Sequence, residues 1–470
     1  MHQKFPWKEF LVRIAVIAVP VALQNLLATT GSMVDTMMIA SLGQTEVGAV
    51  GLCAQFSSLM FSGIWGFVGG GMLFFSQYWG AKDDEGINRS YGITLMFMMT
   101  VAAVFCLAAL FFPELIMRLY TDKESIQAVG VEYLRLVAFA YPLQIYSMAM
   151  ASLLRSTERV RIPLYGAIVS VAANLFLNWV LIFGNLGMPR MGVRGAALAT
   201  SIAQGMNVLT IAVLARLNGH PYVFAVTRHF RFGMRHLRAY MSKCAPILAN
   251  ELLIGVGNMV INIVLGRQPE ETIAALAVFR TLEGLVIGFF AGFSNASSIL
   301  VGKEVGAGNI EISYQRAWRL VYLCQGFIAL TCLALVCLHT PILTLMGMTG
   351  EAFRVAFGMV LIYGAVAIIR MGNWVQNDTY RAAGDAAFGT ILEITFMWLL
   401  VVPSVLIAGF VLHLPSLAVF ALCYVDEPIR YVLMQVHLYS AKWIKPVTPE
   451  GEAGLAAWRA RRAQEKEAQA

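Results

Sequence analysis

The chain has 470 residues, 59% of them hydrophobic and only 13% charged, with a mean hydropathy of +0.69. A soluble domain of this size carries about 25% charged residues, so most side chains face something other than water, and a water-soluble enzyme or regulatory domain is excluded. The net charge of +7 is read as basic loops against anionic lipid rather than as a nucleic-acid surface.

The short basic N-terminus, Met1 to Phe10, runs into an apolar stretch too long for a cleaved signal peptide, so that stretch is the first span. A helical crossing takes about 20 apolar residues. Twelve such segments can be drawn, roughly at 13–40, 47–76, 92–112, 128–153, 163–184, 195–216, 243–266, 272–300, 316–339, 353–380, 388–410 and 418–440. The loops between them are short, and the longest, around 217–242, is basic and sits at the middle of the chain. Lysine and arginine concentrate in alternate loops, with Arg155, Arg159 and Arg161, the 228–243 cluster and Lys303, Arg316 and Arg319 on one side. That bias predicts both termini in the cytoplasm. The expected organisation is an N-terminal six-helix lobe (1–227), a basic cytoplasmic loop (228–242), a C-terminal six-helix lobe (243–445) and a charged, solvated cytosolic tail (446–470). The seven cysteines lie almost all in apolar segments and form no CxxC pair. They are read as small hydrophobes, with no metal site or disulfide framework.

The two halves repeat. Pro20 and Pro246, Gln77–Ala81 and Lys303–Ala307, and Leu154–Arg155 and Tyr380–Arg381 each stand one fixed step apart, in matching places between spans. Six spans per half is an even number, so both halves point the same way through the membrane. The predicted fold class is all-α integral membrane, with twelve transmembrane helices in two pseudo-symmetric six-helix bundles related as parallel repeats. Such a pair leaves a cleft that rocking opens to either side, which points to a transporter.

Charged and amide side chains inside the spans are the functional candidates, because each costs a few kcal/mol unless it has a partner, water or a job. Span one carries Gln24, Asn25, Ser32 and Asp35, with Gln24 and Asp35 on one face and the small Ala28 and Gly31 between them. Asp35 is the only acid of that span, and is read as a titratable or cation-binding group. Asn174 and Asn178 lie four apart in span five and suit hydrogen bonding between helices. Glu132 and Arg135 in span four are read as a structural pair. Span seven carries a polar stripe of Glu251, Asn258 and Asn262, with Asn250 beside Glu251. In span eight Arg280 and Glu283 are three apart and expected to satisfy each other, although either can answer Glu251. Arg370, Asn373 and Asn377 share a face of span ten, and the adjacent Asp378 is within reach of Arg381. Asp426 and Arg430 in span twelve are read as an internal pair. The repeat does not duplicate the acids, so the halves share a scaffold and differ in ionisable groups.

Met33–Val–Asp35 followed by Ser41–Leu–Gly43, Gln77-x-x-Gly80–Ala81 after span two, Leu154–Arg155 leading to Pro163, and Gly192-x-x-Gly195–Ala196–Ala197 at span six form an ordered set. Gly306–Ala307–Gly308–Asn309, Arg381–Ala–Ala–Gly384–Asp385 and Pro246-x-x-x-Asn250–Glu251 extend it. Together they resemble the multidrug and toxic compound extrusion (MATE) family over about residues 10–440. The resemblance implies a V-shaped pair of lobes, no covalent chemistry and a secondary antiporter that exports small organic, often cationic or amphipathic compounds against protons or sodium ions. It implies cation coupling at Asp35, with Asn174 and Asn178 nearby, and at an acid of span seven, here Glu251; Asp378 joins them as a coupling candidate. Gln24, Asn25, Asn258, Asn262, Arg280, Glu283, Arg370, Asn373 and Asn377 are the candidate substrate contacts. The first-half turn Arg155–Ser–Thr–Glu–Arg159 departs from the family in lacking its glycine. The expected cofactor is none, the coupling ion H+ or Na+, with no metal beyond a sodium ion. The expected partners are small molecules and the lipid bilayer, in a monomer of the bacterial cytoplasmic membrane. Two other readings stay open: a lipid or lipid-linked oligosaccharide flippase of the same superfamily, and a non-transporting membrane receptor or integral enzyme.

Overall fold

The computed structural model describes residues 6–469; residues 1–5, the start of the expected cytoplasmic N-terminus, and Ala470 at the end of the tail lie outside the described residues. The described chain is helical: α1 (Trp7–Ala40), α2 (Gln44–Ala81), α3 (Asp84–Phe111), α4 (Pro113–Tyr120), α5 (Glu124–Val137), α6 (Ala140–Ser156), α7 (Arg161–Phe183), α8 (Val193–Leu217) and the short α9 (Val226–His229). There follow α10 (Met234–Leu265), α11 (Glu270–Gly306), α12 (Ile310–Cys337), α13 (His339–Leu345), α14 (Gly350–Ala382), α15 (Phe388–Phe396), α16 (Val402–Leu406), α17 (Ser416–Leu422), α18 (Glu427–Ser440) and α19 (Pro449–Gln469).

Among the described residues ten helical stretches are long and apolar enough to cross a membrane, and α5 with α6, bent by 48°, makes an eleventh. The predicted twelfth span is broken into α17 and α18 by a turn at Cys423–Asp426. Span eleven runs from Phe388 to Val411, with π-helical turns at Met397–Val401 and Ile407–Val411 on either side of α16. Pro403 lies in α16, and its missing N–H cannot complete the α-helical ladder. Large apolar side chains such as Leu107, Leu209 and Leu330 remain exposed, as lipid-facing positions require.

The repeat extends to helix ends. Asp84 and Phe111 bound α3, and Ile310 and Cys337 bound α12, a step of 226 (310 − 84) at both ends. The same step carries the α5–α6 pair, 124–156, onto α14, 350–382. What is one continuous helix in the second half is bent in the first.

By contacts the chain forms two units. The N-terminal unit is Val19–Phe75 with Asp84–Met241, and in it α7 packs along α8 while α6 touches α3 and α8. The C-terminal unit holds the start of α1 through Ala18, Ser76–Asp83 and everything from Ser242 on, with α14 packed against α11, α12 and α18. These limits cross the boundaries drawn from the sequence. Most of the expected 228–242 loop is helical: α10 begins at Met234, and its Tyr240 is buried in the N-terminal unit, where its hydroxyl meets Thr94 Oγ1 at 2.8 Å. The tail is helical but not solvated all round, because Leu455 and Trp458 of α19 are buried.

Candidate functional site

In the N-terminal unit, Gly31 brings α1 close to α7: a Cβ there would meet Val171 Cγ1 at 3.2 Å. One turn further along α1, Asp35 reaches Asn178, whose Nδ2 donates to Asp35 Oδ1 at 2.6 Å and to Asn174 Oδ1 at 3.2 Å. Asn174 Nδ2 in turn donates to Thr200 Oγ1 of α8 at 3.4 Å. The expected trio therefore meets, with Thr200 as an added member that its span gave no reason to single out. Asn178 is fully buried, and its Oδ1 has no hydrogen-bond donor among the described residues. No lysine, arginine or histidine pairs with Asp35 among the described residues. A carboxylate and an orphaned amide oxygen inside a membrane-spanning bundle form an all-oxygen set, chemistry that suits a proton or a hard cation such as sodium. Gln24 and Asn25 are half-buried higher on the same helix.

The C-terminal unit solves its charges differently. Glu251 on α10 and Asp378 on α14 share one guanidinium: Arg381 Nη1 lies 3.5 Å from Glu251 Oε1 and 3.6 Å from Asp378 Oδ1. Ser294 of α11 donates to Asp378. Two acids against one cation leave one negative charge over, and the long distances show that Arg381 locks onto neither. The partner of Glu251 is thus Arg381, not Arg280 or Glu283.

Arg280 and Glu283 do pair, at 2.7 Å, and open a chain of ion pairs deeper in the unit. Arg370 Nη1 meets the other oxygen of Glu283 at 2.6 Å, and its Nε lies 3.7 Å from Glu427. Arg430 then touches Glu427 at 3.5 Å, Asp426 at 3.1 Å and Glu393 at 3.7 Å. Asn373 donates to Glu427 at 2.7 Å, while Asn250 and Asn377 both donate to Glu393, at 3.1 and 3.2 Å. The turn that breaks span twelve places Glu427 at the first position of α18, where free N–H groups and the helix dipole favour an anion. Glu393 was absent from the sequence candidates; an acid inside the apolar run 388–410 was the available signal. Asn258 and Asn262 stand exposed on α10, and Asn262 Oδ1 accepts from Arg280 Nη2 at 3.4 Å. The pair expected between Glu132 and Arg135 does not form: Glu132 binds Arg194 at 2.5 Å, and Arg135 binds Glu114 at 2.5 Å. Both partners, Arg194 on α8 and Glu114 on α4, belong to neighbouring elements better placed than a residue three along the same helix.

The family model described as MatE matches residues 20–180 and again 246–407, two stretches that reproduce the repeat. The chain is 26% identical over 409 residues to the probable multidrug resistance protein YoeA of Bacillus subtilis, covering 86% of this chain and 88% of that one. It is 26% identical over 376 residues to the probable multidrug resistance protein NorM of Rhizobium meliloti, with 77% and 79% covered. Among solved structures, the Vibrio cholerae MATE transporter VcmN superposes with a TM-score of 0.82 at 17% identity, over 92% of this chain and 97% of that one. A MOP superfamily transporter from Pyrococcus furiosus gives 0.80 at 16% identity, over 91% and 95%. These likenesses show the fold: an all-α membrane protein of twelve transmembrane helices in two pseudo-symmetric bundles. With the family model matched across both halves, the chain belongs to the MatE family of transporters.

Proposed function

We propose that the chain exports small organic compounds, cationic or amphipathic, across the bacterial cell membrane in exchange for protons or sodium ions, by alternating access. The relatives named as probable multidrug resistance proteins support the export direction. The basic loops support an orientation with both termini in the cytoplasm. The observation that carries the coupling is the Asp35 site. Among the described residues its carboxylate has an amide donor but no cation, and it stands beside the orphaned Asn178 oxygen. Neutralising that carboxylate with a proton or sodium ion removes an uncompensated charge from the bundle, so binding carries a differential free energy between states. Glu251 and Asp378, with one acid in excess of Arg381, are a second place for the same exchange. Asn174 and Asn178 position the first carboxylate. The exposed polar face of Asn258, Asn262 and Arg280, and the Glu283–Arg370–Asn373–Asn377 network behind it, supplies candidate substrate contacts.

The experiment is export from proteoliposomes under an imposed proton or sodium gradient, one ion varied at a time. Asp35→Asn combined with Glu251→Gln is expected to lower gradient-driven export at least tenfold with binding retained. Undiminished export by that double variant refutes the coupling role.

A further inference from the structure

The turn that closes α6 and the turn that closes α14 are repeat equivalents with the same backbone. In the first, Glu158 N donates to Arg155 O at 3.0 Å and Arg159 N to Leu154 O at 2.7 Å. In the second, Gly384 N donates to Arg381 O at 3.0 Å and Asp385 N to Tyr380 O at 2.8 Å. Every partner stands one repeat step away (381 − 155 = 226). Glu158 (φ 63°) and Gly384 (φ 97°) both take the left-handed conformation, so the turn keeps its shape although the first half lacks the glycine.

The charges around the two turns differ. In the C-terminal unit Arg381 faces Glu251 and Asp378, and Asp385 holds His437 and Lys445. The same step carries Glu251, Asp378 and Asp385 onto Asn25, Ser152 and Arg159. All three acids are gone, the arginine remains, and a second arginine stands where an aspartate would.

Arg155 is nevertheless 8% exposed. Its Nε donates to Ala151 O at 3.3 Å, but among the described residues no acid pairs with it and its Nη atoms have no hydrogen-bond partner. Two more side chains of the N-terminal unit share this condition. Ser156 is fully buried and its Oγ has no partner among the described residues, and neither ring nitrogen of His220, itself 6% exposed, has one. His220 follows the end of α8, which packs along both α6 and α7, and it feels the charge of Arg159. Arg159 and Arg161 are exposed and form no ion pair among the described residues. At Arg161 the 23-residue α7 begins, without a side-chain cap, so its free N–H groups and positive dipole end open at the same turn. Of the acids nearby, Asp84 accepts from the Tyr222 hydroxyl at 2.6 Å, and Glu158, the one acid of the turn, does not pair with Arg155.

We propose that Arg155, Ser156, Arg159 and His220, with the start of α7, form a binding site for a phosphate group, carried by an anionic lipid headgroup or free in solution. A buried guanidinium without a counter-charge is costly, and a phosphate supplies at this turn the negative charge that carboxylates supply at Arg381. The guanidinium fork matches two phosphate oxygens. The Ser156 hydroxyl and a protonated His220 ring add donors that the protein leaves unused. The loop charges put this turn on the cytoplasmic side, where basic pockets at helix ends meet anionic headgroups.

The test measures binding to the full chain in neutral detergent, without transport, so it stands or falls apart from the export reading. Two probes are titrated separately, inorganic phosphate and the short-chain lipid dihexanoyl phosphatidylglycerol, and an apparent Kd is taken from the rise in the thermal unfolding midpoint. Saturable binding is expected, and the tighter probe names the source. Arg155→Met is expected to weaken that binding at least tenfold. Arg235→Gln with Arg238→Gln, which removes two exposed arginines of the connector, is expected to change it less than twofold. Absence of saturable binding by both probes overturns the proposal, as does an equal Kd for Arg155→Met and the unmodified chain. An equal loss in the Arg235/Arg238 control, the mark of general attraction to basic surface, overturns it too. If Arg155→Met does not fold, Ser156→Ala with His220→Gln removes two donors instead and is expected to weaken binding at least fivefold; an unchanged Kd there overturns the proposal.

Discussion

Replacing Arg370 by methionine is expected to cost far more stability than the same change at Arg280, although both guanidiniums bind Glu283. The Glu283 side chain is 4% exposed and the Arg280 side chain 44%. Losing Arg280 leaves Glu283 its second partner at 2.6 Å, so the change resembles loss of a surface pair, about 0–1 kcal/mol. Losing Arg370, itself 28% exposed, strips a close partner from Glu283 and a looser one from Glu427, which is 8% exposed. Removing one member of a buried pair costs about 3–5 kcal/mol where the remaining charge is left uncompensated; Glu283 keeps the half-exposed Arg280 at 2.7 Å and Glu427 keeps Arg430 at 3.5 Å, so the cost here lies at or below the lower end of that range. The assay is unfolding in mixed micelles, followed by tryptophan fluorescence, on the two single variants and on Arg370→Met with Glu283→Leu. The double variant is expected to regain most of the loss, since it removes the buried acid along with its closest cation. Equal costs at Arg280 and Arg370, or a double variant less stable than Arg370→Met alone, would refute the network as drawn.

Asn178→Ala removes both the Asp35 donor and the orphaned oxygen, and is expected to reduce coupled export about as far as Asp35→Asn, whereas Asn174→Ala, one bond removed, costs only a few-fold; initial export rates separate them. Gly80→Ala forces a Cβ against the Lys303 carbonyl and is expected to cost about 1–3 kcal/mol, measured in the same micelle unfolding; Gly326→Ala, with open space around it, is the neutral control. The connector before α10 is expected to loosen in acid. His229 is buried against Tyr91 and bonded to Tyr222 O at 2.6 Å; burial holds its protonation below the ordinary histidine range, with the Tyr222 carbonyl pulling the other way. His220 is lowered by burial and by the charge of Arg159. Each folded-state pKa lies below the unfolded value near 6.5, so the unfolded segment binds protons first; stability is full above that pH and falls as pH drops through the window beneath it. Tryptic cutting at Arg228 and Arg231 should accelerate between about pH 6.5 and 5, and His229→Gln should flatten that dependence; a pH-independent rate counts against it. Asp385 behaves oppositely: burial raises it, but hydrogen bonds from His437 and Lys445 outweigh this and hold it below the usual range. Its folded pKa is lowered, so its contribution persists down to about pH 4, and α19 should stay protease-protected across the range that opens the connector.

The sequence by itself determined the features that short-range chemistry writes. Apolar runs of spanning length, loop charges and a fixed step between matching glycines, prolines and basic turns gave the spans, the repeat and the family, because each depends only on neighbours along the chain. Pairs one helical turn apart were also legible, as Arg280 with Glu283, Asp378 with Arg381 and Asp426 with Arg430 show. Spacing alone failed at Glu132 and Arg135, where Arg194 and Glu114 on other elements compete for the same charges. Asp35 stood out as a lone acid, but that it meets Asn178 and no cation depends on how closely α1 approaches α7, set by a missing Cβ at Gly31. Glu393 joins Asn250 and Arg430 only once three separate helices pack. The tail reads as charged and solvated until its few apolar residues, Leu455 and Trp458, find a surface made by turns far away in the chain. Partners that distant leave no periodic trace in the sequence, since a hydrogen bond or a backbone crossing between helices is fixed by tertiary packing and not by the residues on either side of it.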